Sequence, residues 1–409
     1  MSTTPVYDLV IVGGGMVGAS LALALGGRGL RMALIEAHAP GDAGQPGYDD
    51  RAIALAYGTR RVFEAIGVWP DLHGQVEPIT DIHVSERGRF GLVRLSAQEE
   101  GVPALGYVVT ARELGAVLVA RFADITDLDL LAPARLVDFT DDGALVTLQV
   151  ERDGLMQTLA TRLLVAADGG DSPVRERLGV PVRRWQYGQT AVVANVTPAR
   201  AHRGCAYERF TDSGPLALLP MTGGRCAVVW TVRDADVDAL LALDDAAFLE
   251  GLQVRFGHRL GLFERVGQRH AYPLGLMRAL ESVRGRVAII GNAAHTLHPV
   301  AGQGFNLGVR DVAALAEVID EAHRDGRDPG ADEVLADYRG WRQREQAAMA
   351  IATDGLARLF ANPLAPLRLG RQLGLLAMAW LPGARHPLAR AAMGLAGRQP
   401  RLARGVPLG

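Results

Sequence analysis

This chain of 409 residues has few cysteines, no lysine and little net charge. Its two cysteines, Cys205 and Cys226, are too few for a disulfide framework and lack metal-ligand spacing. We therefore expect free thiols in a reducing cytoplasm. All 43 basic residues are arginine and 45 residues are acidic, so the formal net charge is −2. This balance argues against general affinity for nucleic acids.

Long apolar runs, targeting segments and metal motifs are also missing. No run reaches the ~18 apolar residues that crossing a bilayer requires, and the segment before Tyr7 lacks the basic start of a signal peptide. We expect a cytoplasmic protein, either soluble or peripheral at the inner face of the plasma membrane. His295 and His298 lack a HExxH pattern and a third ligand, so no metal is predicted and His295 is expected to be a structural hydrogen-bonding residue.

A glycine-rich turn between two apolar segments lies near the N-terminus. The β-rich run 7–12 leads into a GxGxxG turn, an Ala/Leu-rich helix and a second strand at 32–35. In this dinucleotide fingerprint the glycines permit a tight turn, close approach of a pyrophosphate and helix packing, and a following acid binds ribose hydroxyls. That acid favours FAD or NAD over NADP. The expected cofactor contacts of this unit are Gly13, Gly15, Met16, Val17, Gly18 and Glu36.

A second turn follows the apolar run 163–167. This run ends at Asp168-Gly169 and continues into a short predicted helix. Ser172 is a suitable N-cap for that helix, and Pro173 suits its first position.

A third turn joins an apolar strand at 287–290 to a long helix-periodic segment that continues past Leu315. Its glycines leave the backbone N–H groups of Gly302, Gln303 and Gly304 free beside a helix N-terminus, which attracts negative charge. Phosphate is the usual ligand at such an end. The small residues also admit a flat ring, such as the N1/C2=O edge of a reduced flavin.

These three turns, in this order and at these separations, resemble those of the FAD-dependent aromatic hydroxylases, the class A flavoprotein monooxygenases with the para-hydroxybenzoate hydroxylase fold. Within that family the chain is most similar to the ubiquinone-biosynthesis branch, to UbiH-type 2-polyprenyl-6-methoxyphenol hydroxylases. The resemblance extends over nearly the whole chain. It is specific for fold and cofactor and less specific for the ring position that is hydroxylated. The segments that carry the narrower resemblance are 50–55, 83–88, 208–211, 214–220 and 291–311.

The resemblance implies an α/β fold with a Rossmann-like FAD-binding domain of the GR2 type, an interleaved, mostly antiparallel β-sheet substrate domain, and a C-terminal helical tail. The FAD-binding domain is expected to be discontinuous and to comprise residues 1–75, 101–180 and 273–340. The substrate domain then comprises 76–100 and 181–272, and the tail 341–409. Local patterns predict a hairpin at 79–95, a strand meander within 128–161, and extended segments with one helix near 244–256.

Further cofactor contacts are implied by the same resemblance. Arg51 and Arg112 are expected near the pyrophosphate or flavin, although a surface ion pair is the alternative for Arg51. The backbone around Leu136 is expected to face adenine. Most of the family has an acid after Gly291, where this chain has Asn292, which still accepts a hydrogen bond from a ribityl hydroxyl. The full implied set is Arg51, Arg112, Leu136, Asp168, Asn292, Gly302, Gly304, Phe305 and Asn306.

The implied reaction converts 2-polyprenyl-6-methoxyphenol into 2-polyprenyl-6-methoxy-1,4-benzoquinol. NAD(P)H, bound transiently, reduces FAD, and O2 then gives a flavin C4a-hydroperoxide. The backbone of Gly302, Gln303 and Gly304 is expected to stabilise the flavin, and a dry apolar pocket to protect the reactive oxygen. No general base is assigned, because the ring is already activated by its oxygens. Candidate pocket residues are Pro299 and, in a segment for which an ordinary core strand is the alternative, Gly214, Pro215 and Leu216.

The tail has a strong charge bias: from Gly355 onward it carries arginines among apolar residues and no acidic residue. This pattern is typical of a segment that docks on a membrane surface or partner, and equally of a helical pair packed on the FAD domain. Two functional alternatives also stay open. One is a sister hydroxylase of another ring position, and the other is an FAD-containing scaffold subunit of a multiprotein ubiquinone-synthesis assembly.

Overall fold

The computed structural model of the chain describes residues 5–39, 51–89, 91–296, 303–361 and 382–409. Its strands and helices follow in chain order as β1 (Val6–Val12), α1 (Met16–Leu25), β2 (Met32–Ile35), β3 (Ala52–Ala56), α2 (Tyr57–Ala65), α3 (Trp69–Leu72), β4 (Glu77–Ile79), β5 (Asp81–Glu86), β6 (Leu92–Ser96), β7 (Gly106–Thr110), α4 (Ala111–Ala120), β8 (Leu128–Leu131), β9 (Arg135–Asp141), β10 (Val146–Arg152), β11 (Leu155–Ala166), α5 (Pro173–Arg177), β12 (Val182–Pro198), β13 (Cys205–Thr211), β14 (Gly214–Pro220), β15 (Cys226–Arg233), α6 (Val237–Leu241), α7 (Asp245–Phe256), β16 (Phe263–Val266), β17 (His270–Ala279), β18 (Val283–Arg284), β19 (Val287–Ile289), β20 (His295–Thr296), α8 (Gln303–Arg324), α9 (Asp332–Ala361) and α10 (Pro382–Ala392).

A mixed sheet contains the predicted dinucleotide fingerprint, and we call this half of the molecule the nucleotide-binding half. Its strand order is β18-β19-β11-β1-β2-β8, and β10 extends it by pairing with β11 and β9. The strands β1, β2, β8, β11 and β19 run parallel. Leu9 and Ile11 pack on the face covered by α1 and α8, while Val10 packs on the opposite face. Burial on both faces explains why these strands are continuous apolar runs.

Strand β11 is longer than the sequence pattern predicts. The pattern gives a polar strand at 155–161 and a separate apolar one at 163–167, whereas the structure has one strand of 12 residues. Its first half pairs antiparallel with β10, and its second half lies parallel between β1 and β19. The change from polar to apolar residues therefore marks where the strand enters the buried sheet.

A second, mostly antiparallel sheet confirms the predicted substrate-side architecture. Its order is β20-β17-β12-β15-β14-β13-β5-β6, with β16 also paired to β12. The predicted hairpin is β5–β6, and the predicted helix is α7. Strand β12 spans 17 residues, and the left-handed backbone of Gly188 (φ +64°) permits a register shift against β17 within it.

The two faces of this sheet pack against different partners. On the outer face, Leu216 and Trp230 pack against Phe248 and Phe256 of α7. Alternate residues point the opposite way because the side-chain period of a strand is two. On this inner face, Ala206 packs with residues of a small three-stranded sheet formed by β3, β7 and β4. The inner face is thus the one turned toward the nucleotide-binding half.

The described part of the tail packs against the rest of the protein. Ala389 of α10 and the following Met393 form a buried cluster with Val93 and Leu95 of β6, and Leu402 is buried in the core of the nucleotide-binding half. The sequence offered a helical pair on the FAD domain as one alternative, whereas in the described residues 382–409 the helix α10 packs on the second sheet and the segment around Leu402 packs in the nucleotide-binding half. In the described parts of the chain, no helix combines the length and apolar character needed to cross a membrane.

Candidate functional site

A cleft of about 870 Å³ opens at the carboxyl ends of β1, β2 and β11. Ligands of open α/β sheets bind at this edge, because the loops that follow the strands converge there. The cleft wall contains most of the residues singled out in the sequence: Gly13, Gly15, Met16, Val17, Glu36, Arg51, Leu136, Asp168, Asn292, Gly304 and Phe305.

Each glycine of the β1–α1 turn is needed for a different structural reason. Gly13 has φ +102°, and a Cβ there would lie 2.4 Å from the Ala167 carbonyl oxygen. A Cβ at Gly18 would lie 1.9 Å from the Gly13 carbonyl oxygen, so this glycine allows the helix to pack. A Cβ at Gly15 would meet no protein atom within 4 Å. Because Gly15 also lines the cleft, its missing side chain leaves space for a ligand rather than for the protein.

Glu36 connects this turn to the end of β2. Its Oε2 accepts a hydrogen bond from the Gly14 backbone N–H at 2.7 Å, and its Oε1 accepts one from the His38 N–H at 2.9 Å. Each carboxylate oxygen has a second lone pair. The side chain thus stabilises the glycine turn and keeps acceptor capacity for a hydroxyl group in the cleft.

Asp168 follows β11 on the opposite wall of the cleft. Its Oδ2 accepts from the Val174 backbone N–H at 3.1 Å, while Oδ1 is buried with no hydrogen-bond donor among the described residues. Burial raises the pKa of this carboxyl group against the lowering effects of the Ser172 hydroxyl and the Val174 amide. A buried acceptor without a donor is costly, and a ligand hydroxyl would satisfy it. The open space at Gly15 and this acceptor both fit FAD.

The loop that carries Asn292 is held by a buried charge network centred on Asp311 of α8, which is fully buried. Asp311 accepts hydrogen bonds from the Gly291 N–H at 3.1 Å and from Arg342 Nε of α9 at 2.8 Å, and it shares one with His295 Nε2 at 2.6 Å. Burial opposes its ionisation, but His295 and Arg342 hold the pKa of Asp311 well below its usual range. His295 is thus a structural hydrogen-bonding residue, as predicted.

The two predicted arginines lie in different positions. The Arg51 guanidinium lies 4.8 Å from the centroid of the Tyr272 ring of β17 and also lines the cleft. It therefore connects the cleft to the inner face of the second sheet. Arg112 lies exposed in the first turn of α4, in the helix start that Thr110 and Glu113 stabilise as a capping box. It is not on the cleft wall, and its contact with the cofactor stays a prediction.

Asn306 has a structural role that the sequence did not indicate. Its Oδ1 accepts from the Ala56 N–H at 2.8 Å and from Thr59 Oγ1 at 2.7 Å, and its Nδ2 donates to the Ala54 carbonyl at 2.9 Å. These bonds hold β3, which lines the cleft, against α8. The amide itself lies behind the cleft wall, and a cofactor contact at this position stays a prediction. Gly302 and Pro299 lie outside the described residues.

The predicted pocket strand is β14, and its residues divide between the two faces. Leu216 is fully buried on the outer face under α7. Pro215 is partly exposed on the inner face, and Gly214 begins the strand with φ +134°. The core-strand alternative therefore describes Leu216, because a strand presents only every second residue to one side.

Some residues of the cleft were missed in the sequence because they lack a motif of their own. They lie beside motif residues or come from the ends of other strands. They include Ile35, Ala37, His38, Ala134, Arg135, Pro173, Val174, Arg177 and Thr296.

Comparison with known proteins agrees with this site. The family of FAD binding domains matches residues 6–353. The ubiquinone hydroxylase UbiL of Rhodospirillum rubrum is 43% identical over 412 residues, covering 100% of this chain and 95% of that protein. The 3-demethoxyubiquinol 3-hydroxylase of Escherichia coli is 31% identical and covers 90% of this chain and 94% of its own. The p-nitrophenol 4-monooxygenase PnpA of Pseudomonas putida has a similar structure, with a TM-score of 0.78 at 20% identity over 97% of this chain and 100% of that one.

Fold and site together define an FAD-dependent aromatic monooxygenase with the para-hydroxybenzoate hydroxylase fold. More narrowly, the chain belongs to the family of ubiquinone-biosynthesis hydroxylases.

Proposed function

We propose that this monooxygenase hydroxylates a polyprenylated methoxyphenol, converting 2-polyprenyl-6-methoxyphenol into 2-polyprenyl-6-methoxy-1,4-benzoquinol in ubiquinone synthesis. The observation that carries the proposal is the contact between Arg51 and Tyr272, which joins the nucleotide cleft to the inner face of the second sheet. A phenol ring on that face lies beside the end of the cleft. The ubiquinone hydroxylase at 43% identity supports the substrate class.

The residues of the cleft divide the work of binding FAD. The turn at Gly15 gives the pyrophosphate room to approach the backbone, Glu36 accepts from ribose hydroxyls, and Asp168 accepts from a hydroxyl at its buried oxygen. When bound, FAD supplies hydride acceptance from NAD(P)H and activation of O2. Helix α8 points its N-terminal residues Gly304 and Phe305 into the cleft, so its dipole favours negative charge there.

The inner face of the second sheet supplies an apolar environment for the ring. Its partly exposed side chains Val193, Ala217 and Val229 offer no hydrogen bonds to water. Water exclusion protects activated oxygen from wasteful release. An apolar wall also suits a prenyl chain, whose burial contributes about 0.8 kcal/mol per CH2 group.

We further propose that the reaction takes place in the cytoplasm at the inner face of the plasma membrane. A polyprenyl chain partitions into the bilayer, so the enzyme must collect its substrate there. Whether it works inside a multiprotein assembly is decided by co-purification from the native host at native abundance.

The test is to incubate the purified yellow protein with NAD(P)H, O2 and a short-chain 2-prenyl-6-methoxyphenol, and to determine the product by mass spectrometry and NMR. Hydroxylation para to the phenol oxygen supports the proposal. Oxygen at another ring position would instead identify a sister hydroxylase. The E. coli relative is named as a 3-hydroxylase, so position 3 is the position to check first. Protein that holds FAD but does not hydroxylate the phenol, while a strain lacking it loses ubiquinone, would identify a scaffold subunit.

A further inference from the structure

A row of side chains crosses the inner face of the second sheet in register. Val193 of β12 pairs with Val229 of β15, and Val229 pairs with Ala217 of β14. Ala217 in turn pairs with Glu208 of β13, and Glu208 pairs with Val84 of β5. Residues that are paired across strands point to the same face. This row is therefore an apolar surface that contains one carboxyl group.

Glu208 lies in a partly open region of the inner face. Residues of β4 and β7 cover this face beside Ala206, whereas Glu208, Ala217 and Val229 are only partly buried. No described residue donates a hydrogen bond to the Glu208 carboxylate or forms an ion pair with it. Burial without such compensation raises the pKa of Glu208 to about 7.

Two sets of contacts connect the neighbours of Glu208 with the nucleotide cleft and with α8. Ala206, two residues back on the same face of β13, packs in a cluster with Ala52, which lines the cleft. Two residues along a strand span about 7 Å. On the other side, Val84 packs with Met393, and the Gln303 side chain of α8 donates a hydrogen bond to the carbonyl of Ala392, the residue before Met393.

The other titratable groups of this sheet either point to the outer face or occupy other positions of the inner face. On β13, Tyr207 and Arg209 point to the outer face, and β14 contributes no titratable side chain to the inner face. On β5, Glu86 shares the inner face but pairs with Phe210, two residues farther along. Other groups on the packed elements are His270 of β17, which pairs with Val193 four strands away from Glu208, and Glu77 and Tyr107 of the small three-stranded sheet. Tyr57 of α2 packs against the cluster that also contacts Val84, Arg51 stacks on Tyr272, and Arg385 and His386 of α10 pair with Glu99 and Glu100.

We propose that Glu208 is the catalytic base that takes the proton from the phenol hydroxyl of the substrate. This inference rests on the proposed function, because it assumes a phenol on the inner face. The phenol O–H bond breaks, its electron pair stays on the oxygen, and a new O–H bond forms at the Glu208 carboxylate. The phenolate is more electron-rich than the phenol, so its ring attacks activated oxygen more readily. Glu208 then returns the proton to the oxygen of the product.

The protonation state of Glu208 sets the pH dependence of this step. Only the carboxylate accepts a proton, so kcat/KM of the wild type falls as the pH drops through about 7, the pKa of this group. In Glu208→Gln this acidic limb disappears. We expect kcat/KM at pH 8 to fall by roughly 10²-fold, the lower end of the range for general-base catalysis, because the ring is already activated.

The experiment uses FAD-loaded full-length protein with 2-methoxy-6-(3-methylbut-2-enyl)phenol as substrate. It compares the wild type, E208Q, E208D and the matched control E264Q, which alters an exposed glutamate of the same sheet. Three quantities are measured: the pH profile, the ratio of product formed to NAD(P)H consumed, and the rate with a ring-fluorinated phenol of lower pKa. E208Q should retain FAD, form less product per NAD(P)H, and lose less activity with the more acidic phenol. E208D should restore part of the acidic limb.

The outcomes separate the two proposals. A wild type that does not hydroxylate the phenol overturns the proposed function, and this inference with it. If the wild type is active while E208Q keeps the acidic limb and the same dependence on phenol acidity, only the assignment of Glu208 is overturned. If E208Q does not fold, the profile and coupling ratio of E208D decide: an unchanged profile contradicts the base, and a displaced acidic limb with a lower ratio supports it.

Discussion

At Gly15 a single missing side chain leaves room for the ligand. A Cβ there meets no protein atom within 4 Å, so valine should be accepted by the fold while it fills the space above the turn. We predict that Gly15→Val purifies folded but colourless, as measured by absorbance near 450 nm and by circular dichroism. Gly74→Val is the matched control, because Gly74 is exposed and also has no neighbour within 4 Å. A yellow G15V protein would contradict the assigned role of this turn.

Burial of the Glu208 carboxylate also lowers the free energy of unfolding, and this effect can be measured. Its pKa of about 7 in the folded protein lies above the ordinary value of 4.5, so the unfolded chain ionises more readily. Folding is therefore penalised progressively as the pH rises from about 4.5 to 7, and the penalty is absent at lower pH. We predict that Glu208→Gln is more stable than the wild type by about 1–3 kcal/mol at pH 8 and equal to it at pH 4, as measured by urea unfolding. A less stable E208Q at pH 8 would show that the carboxylate has a favourable partner.

Among the secondary-structure elements, α8 and α9 are held together with the 291–296 loop by Asp311. Replacing this residue by asparagine leaves the fully buried guanidinium of Arg342 with Glu345 as its remaining charged acceptor and removes the charge that His295 contacts. We predict that Asp311→Asn lowers the free energy of unfolding by roughly 3–5 kcal/mol and weakens FAD binding, as measured by urea unfolding and by FAD release. The control Asp325→Asn removes an exposed ion pair with Arg327 and should change stability by less than about 1 kcal/mol.

Sequence patterns were most informative where local chemistry determines the structure. The turn at Gly13 and Gly15 and the capping box of α4 were predictable, because each depends on residues adjacent in the chain. The side of the sheet to which Leu216 points could not be predicted. Both faces of β14 are apolar, and only the position of α7 decides which face is buried in the core. The buried role of Asn306 likewise depends on β3, about 250 residues earlier in the chain.

On the scale of the whole molecule, the last part of the tail, residues 382–409, packs into the folded core. Arg398 lies 3.8 Å from the centroid of the Trp341 ring, and the Arg401 N–H donates to Glu317, while Leu402 is buried. We predict that deleting residues 382–409 lowers the midpoint of thermal unfolding and exposes the Val93 and Leu95 cluster, as measured by calorimetry and dye binding. An unchanged unfolding midpoint, with loss only of binding to anionic vesicles, would favour a membrane-docking tail instead.

The order of strands in the first sheet has a consequence for biosynthesis. Strand β1 pairs with β11, and β11 pairs with β19 at Val287–Ile289. A ribosome makes the N-terminal glycine turn early, but the part of the cleft wall that contains Asn292, Gly304 and Phe305 emerges only after most of the chain has been translated. Pairing of such distant segments is slow, and the nascent chain carries unpaired strand edges in the meantime. Flavin therefore binds late in folding. Cells short of riboflavin should accumulate the full-length protein with an incompletely formed cleft, which proteases can attack.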